Sequence, residues 1–160
     1  MAVSEIEEQI AASLQAKGLS ISVAEACTAG LVAYRLTSIP GSSRYFIGGV
    51  LAYANEVKQQ LLKVPDELLR TQGSVCEATA LAMARGVRQL LGTDLGVSTT
   101  GITGPGGGTP ERPPGLFFVA VAGPGPRERC ERHLFQGDRI ENKRLAAEAA
   151  LGLVKRSLLE

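Results

Sequence analysis

Two residues near the start of the chain have the chemistry for nucleophilic catalysis, Ser43 in Gly41-Ser42-Ser43 and Lys58 in Tyr53-Ala54-Asn55-Glu56-Val57-Lys58. A serine hydroxyl attacks only when a base takes its proton, and a neutral amine can be that base. If Asn55 caps a helix, Lys58 falls in its first turn. There the positive end of the helix dipole and burial both disfavour the charged ammonium. Tyr53 can orient the amine or relay the proton. Taken alone, a solvated lysine and a satisfied core tyrosine are the commoner fate of such residues.

Three further segments carry polar groups suited to a ligand. Ala24-Glu25-Ala26-Cys27-Thr28-Ala29-Gly30 reads as a strand end turning into a helix that Thr28 caps, with backbone N–H groups free to face an anion or oxyanion. Close packing of a capped helix on its strand explains the same residues equally well. Thr99-Thr100-Gly101-Ile102-Thr103-Gly104-Pro105-Gly106-Gly107-Gly108 ends a strand in hydroxyls and runs into glycines. That suits a phosphate or sugar, or simply a flexible loop. It has neither the Gly-Lys-Ser/Thr of a Walker loop nor a following helix in GxGxxG register. Gly137-Asp138-Arg139 opens the last helix, where Arg139 either binds phosphate or is solvated while Asp138 caps.

The elements that must position these loops follow from periodicity. Val3, Ile6, Ile10 and Leu14 recur at helical spacing and Gly18 stops that helix. Residues 21–24 form a short buried strand, and a helix from Thr28 ends at Ile39 before Pro40. Ile47 to Ala54 reads as a central strand, followed by a helix over Glu56 to Leu62 and a short helical segment begun at Pro65. Ser74 and Glu77 have capping-box spacing ahead of an amphipathic helix whose Ala80, Met83, Ala84, Val87, Leu90 and Leu91 share a face. A strand over 94–100 precedes the Gly/Pro-rich stretch 101–114. Strands over 116–122 and 128–135 make a hairpin around Gly123-Pro124-Gly125-Pro126, and residues 139–159 close the chain as a helix. This order predicts α/β architecture: one three-layer α/β/α domain over residues 1–160, with a mixed sheet, a C-terminal hairpin and a long last helix.

Composition narrows the partners. With 17 basic and 16 acidic residues, the balance points to no nucleic acid, and seven aromatics are too few for a base-stacking platform. No apolar stretch is long enough to cross a bilayer, and Met1 to Gln15 lacks a signal pattern, so a cytoplasmic protein is expected. Cys27, Cys76 and Cys130 are scattered and odd in number, which fits free thiols. The one histidine, His133, supports neither a metal site nor a Ser-His-Asp triad.

Taken together and in order, Ala24-Glu25-x-Cys27-Thr28-x-Gly30, Gly41-Ser42-Ser43, Tyr53-x-Asn55-x-x-Lys58, Thr100-Gly101-Ile102-x-Gly104-Pro105-x-Gly107-Gly108 and Gly137-Asp138-Arg139 resemble the CinA C-terminal family. That family includes stand-alone nicotinamide-nucleotide amidases. The resemblance implies deamidation of nicotinamide mononucleotide to nicotinate mononucleotide and ammonia, by a Ser/Lys-type mechanism without metal or cofactor. By position it assigns attack to Ser43, the base to Lys58, proton-transfer support to Tyr53, substrate contact to Thr100 and phosphate binding to Arg139; helix position, rather than the resemblance, adds backbone oxyanion donors near Thr28, and Gly101 beside Thr100 is a further substrate-binding candidate. The alternative is a nucleotide-binding or regulatory module that has lost catalysis. Two departures bear on that choice, since many members have Ser where this chain has Ala26 and where it has Cys76. Larger members carry an additional N-terminal domain outside this sequence. A homodimer is expected by analogy and from the frequency of symmetric pairs.

Overall fold

In the computed structural model, which describes residues 2–159, helices and strands alternate as the periodicity predicts. The helices are α1 (Glu5–Lys17), α2 (Leu31–Thr37), α3 (Asn55–Gln60), α4 (Asp66–Thr71), α5 (Glu77–Leu91) and α6 (Arg139–Leu158). The strands are β1 (Ile21–Glu25), β2 (Phe46–Leu51), β3 (Leu95–Gly101), β4 (Leu116–Ala122) and β5 (Arg129–Leu134). The sheet order is β2-β1-β3-β4-β5. β1 is parallel to both β2 and β3, whereas β4 is antiparallel to β3 and β5.

The sheet lies between two helical layers, with α1, α2 and α6 on one face and α5 on the other. Ile10 and Leu14 of α1 and Leu151, Val154 and Leu158 of α6 meet Val23, Val97 and Val121 in the larger core. On the opposite face Ala80 and Ala84 of α5 pack on Ala120 and Ala122, small residues that let helix and sheet approach closely. A pin of charge joins the outer layer: Arg35 donates to Glu7 at 2.5 Å and to Glu148 at 2.5 Å. Arg35 and Glu7 are almost wholly buried there.

Several local expectations need correction. The strand expected at the centre of the sheet, 47–54, is shorter and stands at its edge as β2. Its apolar sequence does not distinguish the two positions, and its side chains alternate between half-buried and exposed. Thr28 does not cap α2, because the chain makes an additional turn through Ala29 (φ 51°) and Gly30 (φ 98°) before the helix begins. Asn55 is the first residue of α3 rather than its cap. Cys76, not Ser74, caps α5, with its sulfur accepting from the Thr79 N–H at 3.4 Å. Leu90, placed on the buried face of α5 by periodicity, is exposed because it sits at the end of the helix.

Candidate functional site

Three parallel strands deliver their C-terminal ends to one edge of the sheet, and β5, parallel to β3 through two antiparallel pairings, brings the start of α6 to the same edge. In open α/β sheets this edge is where ligands bind. A cleft of about 520 Å³ opens there, lined by Tyr53 and Asn55 after β2, Gly73 to Val75 before α5, Gly101 to Thr103 and glycines 106 and 107 after β3, Arg112, and Arg139.

Arg139 is held in place although its helix has barely begun. Its guanidinium donates to Thr103 Oγ1 at 2.5 Å and to the Gly104 carbonyl at 2.9 Å, and it stands 3.4 Å from the Tyr53 hydroxyl. Asp138 caps α6 by accepting from the Glu141 N–H at 2.9 Å, so both readings of that motif hold at once. Arg112, donating to the Gln72 carbonyl, supplies a second cation to the cleft. Gly107, with φ 83°, lets the loop turn back over these groups. Two guanidiniums and a glycine-lined wall suit a phosphate, which arginine binds through paired N–H donors.

Lys58 lies behind the Tyr53 side of this cleft and is 2% exposed. Its Nζ donates to the carbonyls of Ala52 at 2.8 Å and Tyr53 at 3.1 Å. A neutral amine has two N–H groups to give, and both are used, which leaves its lone pair to accept a proton. Burial lowers its pKa from the ordinary value of 10.5, against the opposing charges of Cys27 and Glu56. The Cys27 thiol is pushed up to about 11 by burial, although the backbone of Cys27 and Gly101 and the charges of Lys143 and Lys58 draw it the other way. It donates to the Gly101 carbonyl at 3.1 Å and is an inert thiol rather than a nucleophile.

The turn after β1 is built around Glu25, which is fully buried. Its carboxylate accepts from the Val32 N–H at 2.9 Å, the Ala33 N–H at 3.1 Å and the Thr28 hydroxyl at 2.6 Å. Glu25 therefore caps α2 from seven residues upstream, a role no local pattern discloses. Thr28 is locked between Glu25 and Thr99. The Ala26 N–H donates to the Thr99 carbonyl at 3.1 Å, and the Ala26 methyl packs in the cluster that includes Ala52 and Val57, next to the carbonyl that holds Lys58.

The residues expected to form the site thus divide. Tyr53, Gly101 and Arg139 meet in the cleft, with Lys58 behind it. Thr28 faces a separate shallow pocket with Tyr34 and Ile140. Thr100 is buried, and its hydroxyl donates to the Ser74 carbonyl at 2.7 Å, so Gly101 and Thr103 line the cleft instead. Ser43 does not join Lys58. It sits in a 3-10 turn before β2, beside the start of β1, where the Ile21 N–H donates to the Tyr45 carbonyl. Lys58 follows the other end of the same strand. Six strand residues at roughly 3.3 Å each put about 20 Å between the two ends. Arg112 is the residue that sequence reasoning missed, whereas Glu25, Thr103 and Ser74 stand in segments it singled out without giving them these roles.

Comparison with known proteins agrees with the fold and the family resemblance. The CinA C-terminal domain model matches residues 3–158. A CinA-like protein of Gemmatimonas aurantiaca is 50% identical over 141 residues, covering 88% of this chain and 33% of that protein. The chain spans little more than a third of the length of the first curated relatives it matches. The crystal structure of the competence/damage inducible protein CihA from Agrobacterium tumefaciens covers all of both chains at 34% identity, with a TM-score of 0.93. A CinA superfamily protein from Klebsiella pneumoniae is 28% identical, with a TM-score of 0.93 over 99% of each chain.

Proposed function

The chain belongs to the CinA C-terminal domain family, and from that premise we propose that it is an amidohydrolase acting on nicotinamide mononucleotide. The observation that carries this reading is Lys58, a buried amine with a lowered pKa that donates to the backbone of Tyr53, a residue lining a polar, arginine-bearing cleft. The nucleotide phosphate lies toward Arg139 and Arg112. The cationic pyridinium ring rests against Tyr53, which is 61% exposed and offers its aromatic face. The carboxamide points toward Lys58.

With a methyl at position 26 and Ser43 at the far end of β2, the attacking oxygen is that of water. Lys58 Nζ takes a water proton as the oxygen adds to the carboxamide carbon. The C–N bond then breaks, and the leaving nitrogen recovers the proton from the lysine ammonium and departs as ammonia. Nicotinate mononucleotide remains. A second reading, a nucleotide-binding module without turnover, is favoured by one observation, the alanine at position 26. Ammonia release from nicotinamide mononucleotide by the purified protein, beside Lys58→Ala, tests the first reading. Turnover that depends on Lys58 supports it, and calorimetric binding with no turnover selects the second.

A further inference from the structure

Asn142 is buried beside the site without entering the mechanism. It stands one turn into α6, three residues after Arg139, is 2% exposed and does not line the Tyr53 cleft. Asparagine is an indifferent helix former, and a buried amide is costly unless both of its ends are paired. Both are. Its Nδ2 donates to the Thr103 carbonyl at 3.0 Å, and its Oδ1 accepts from the Gly137 N–H at 3.0 Å. The second contact needs a bare backbone, since a Cβ at position 137 would stand 3.1 Å from that Oδ1 and 2.6 Å from Glu141 Cγ. The two partners are the places where the chain enters the cleft. The sheet holds the loop after β3 as far as Ile102, whose N–H donates to the Leu116 carbonyl at 2.9 Å and whose carbonyl accepts from the Gly115 N–H at 2.7 Å. Thr103 comes next, and α6 takes it twice: Asn142 binds its carbonyl and Arg139 its hydroxyl. Gly137 leads directly into Asp138, the cap of α6, and Arg139.

We propose that Asn142 is a positioning residue: its amide locks the Thr103 peptide to the Gly137 turn, and this lock aims the Arg139 guanidinium at the substrate phosphate. The lock is specific to an amide. Aspartate has the same shape and can still accept from Gly137, but its carboxylate has no proton for the Thr103 carbonyl and sets two acceptors face to face. Protonated, it donates again. Of the residues lining the pocket beside this amide, Asp138 and Arg139 carry charge, one of each sign. Without the lock, Thr103 and Gly104 carry the guanidinium through several positions, and the apparent affinity falls in proportion to the fraction aimed at the phosphate. The inference rests on the proposed function only for the identity of the anion.

The test is calorimetric titration of the whole chain with nicotinamide mononucleotide at about pH 8 and about pH 5, each variant compared with wild type at the same pH and checked by circular dichroism. Asn142→Ala is expected to raise Kd about tenfold at both, as for an aimed fraction of about one tenth. Asn142→Asp should do the same at the higher pH and return to within about twofold of wild type at the lower, where burial and the facing carbonyl favour the protonated acid. In an Arg139→Ala background Asn142→Ala should change Kd no further, because the two act through one contact. A wild-type Kd in Asn142→Ala overturns the proposal. So do additive losses in the double variant, or an Asn142→Asp loss that ignores pH. If the wild type itself binds no nucleotide, the functional reading fails and the crystal structure of Asn142→Ala decides the lock alone: a guanidinium displaced from Thr103 and Gly104 upholds it, and one left in place overturns it.

Discussion

Replacing Ala26 with serine introduces the residue that the family resemblance expects there, in the cluster shared with Ala52, whose carbonyl accepts from Lys58. The backbone there is fixed by the Ala26 N–H bond to Thr99, and the side chain is 6% exposed, so the new hydroxyl has little freedom. It joins the cluster next to the Ala52 carbonyl that Lys58 holds, while the amine keeps a lone pair for the serine proton. If the hydroxyl pairs with Lys58, the stability change stays within about 1 kcal/mol; left unpaired, it costs roughly 1–3 kcal/mol. For a chain of this size the paired case lowers Tm by no more than about 4 °C. Lys58 already serves water in the wild type, so the gain comes from holding the attacking oxygen in place, an orientation effect worth up to roughly 7–11 kcal/mol. Ala26→Ser should therefore raise kcat for ammonia release by at least about a hundredfold over wild type. It should also leave a nicotinoyl-serine adduct visible by mass spectrometry after rapid acid quench. Adding Lys58→Met should erase the gain. A folded Ala26→Ser protein whose turnover stays within twofold of wild type would refute the reasoning that a hydroxyl at position 26 reaches the Lys58 amine.

Arg139→Ala should raise KM about 10- to 100-fold with little change in kcat, since a phosphate contact acts alike on ground and transition states; an unchanged KM in steady-state assays would remove Arg139 from the site. Lys58→Met should abolish turnover and cost about 1–3 kcal/mol of stability, because the carbonyls of Ala52 and Tyr53 lose their donor, and thermal melts beside ammonia assays check both halves. The pH dependence has a definite sign. Lys58 works only as the free amine, so the rising limb of kcat/KM should lie below 10.5 and vanish in Lys58→Met. Arg35→Met should cost about 3–5 kcal/mol in urea unfolding by stranding Glu7. Burial pushes the Glu7 carboxyl up, but hydrogen bonds from Arg35 and Ser4 outweigh it and hold the group below 4.5. Glu7 thus stabilises the native state above the unfolded carboxylate value. This contribution should fade as the pH falls through the depressed one, and acid titration of the wild type against Arg35→Met should show the loss.

What the sequence discloses is set by the range of the interaction involved. Strands, hairpin and closing helix are written in local periodicity and turn residues, and they match because β4 is a continuous apolar run while β1 and β3 are short β-rich segments bounded by turns, buried almost throughout although they carry Ser, Thr and Glu. The place of β2 is not written locally: an apolar edge and an apolar centre look alike until the neighbours are known. Caps failed for the same reason in two forms. Glu25 reaches α2 from seven residues away, and Cys76 caps α5 with a sulfur where a search for oxygens stops at Ser74.

Ser43 is the instructive miss, because the order of elements already held the objection. A residue that precedes a six-residue strand and one that follows it stand at opposite ends of it, whatever their side chains can do together. Motif order established the family, but it left the two groups about 20 Å apart within one chain. The geometry of the edge strand, rather than the motif, therefore takes Ser43 away from the lysine of its own chain.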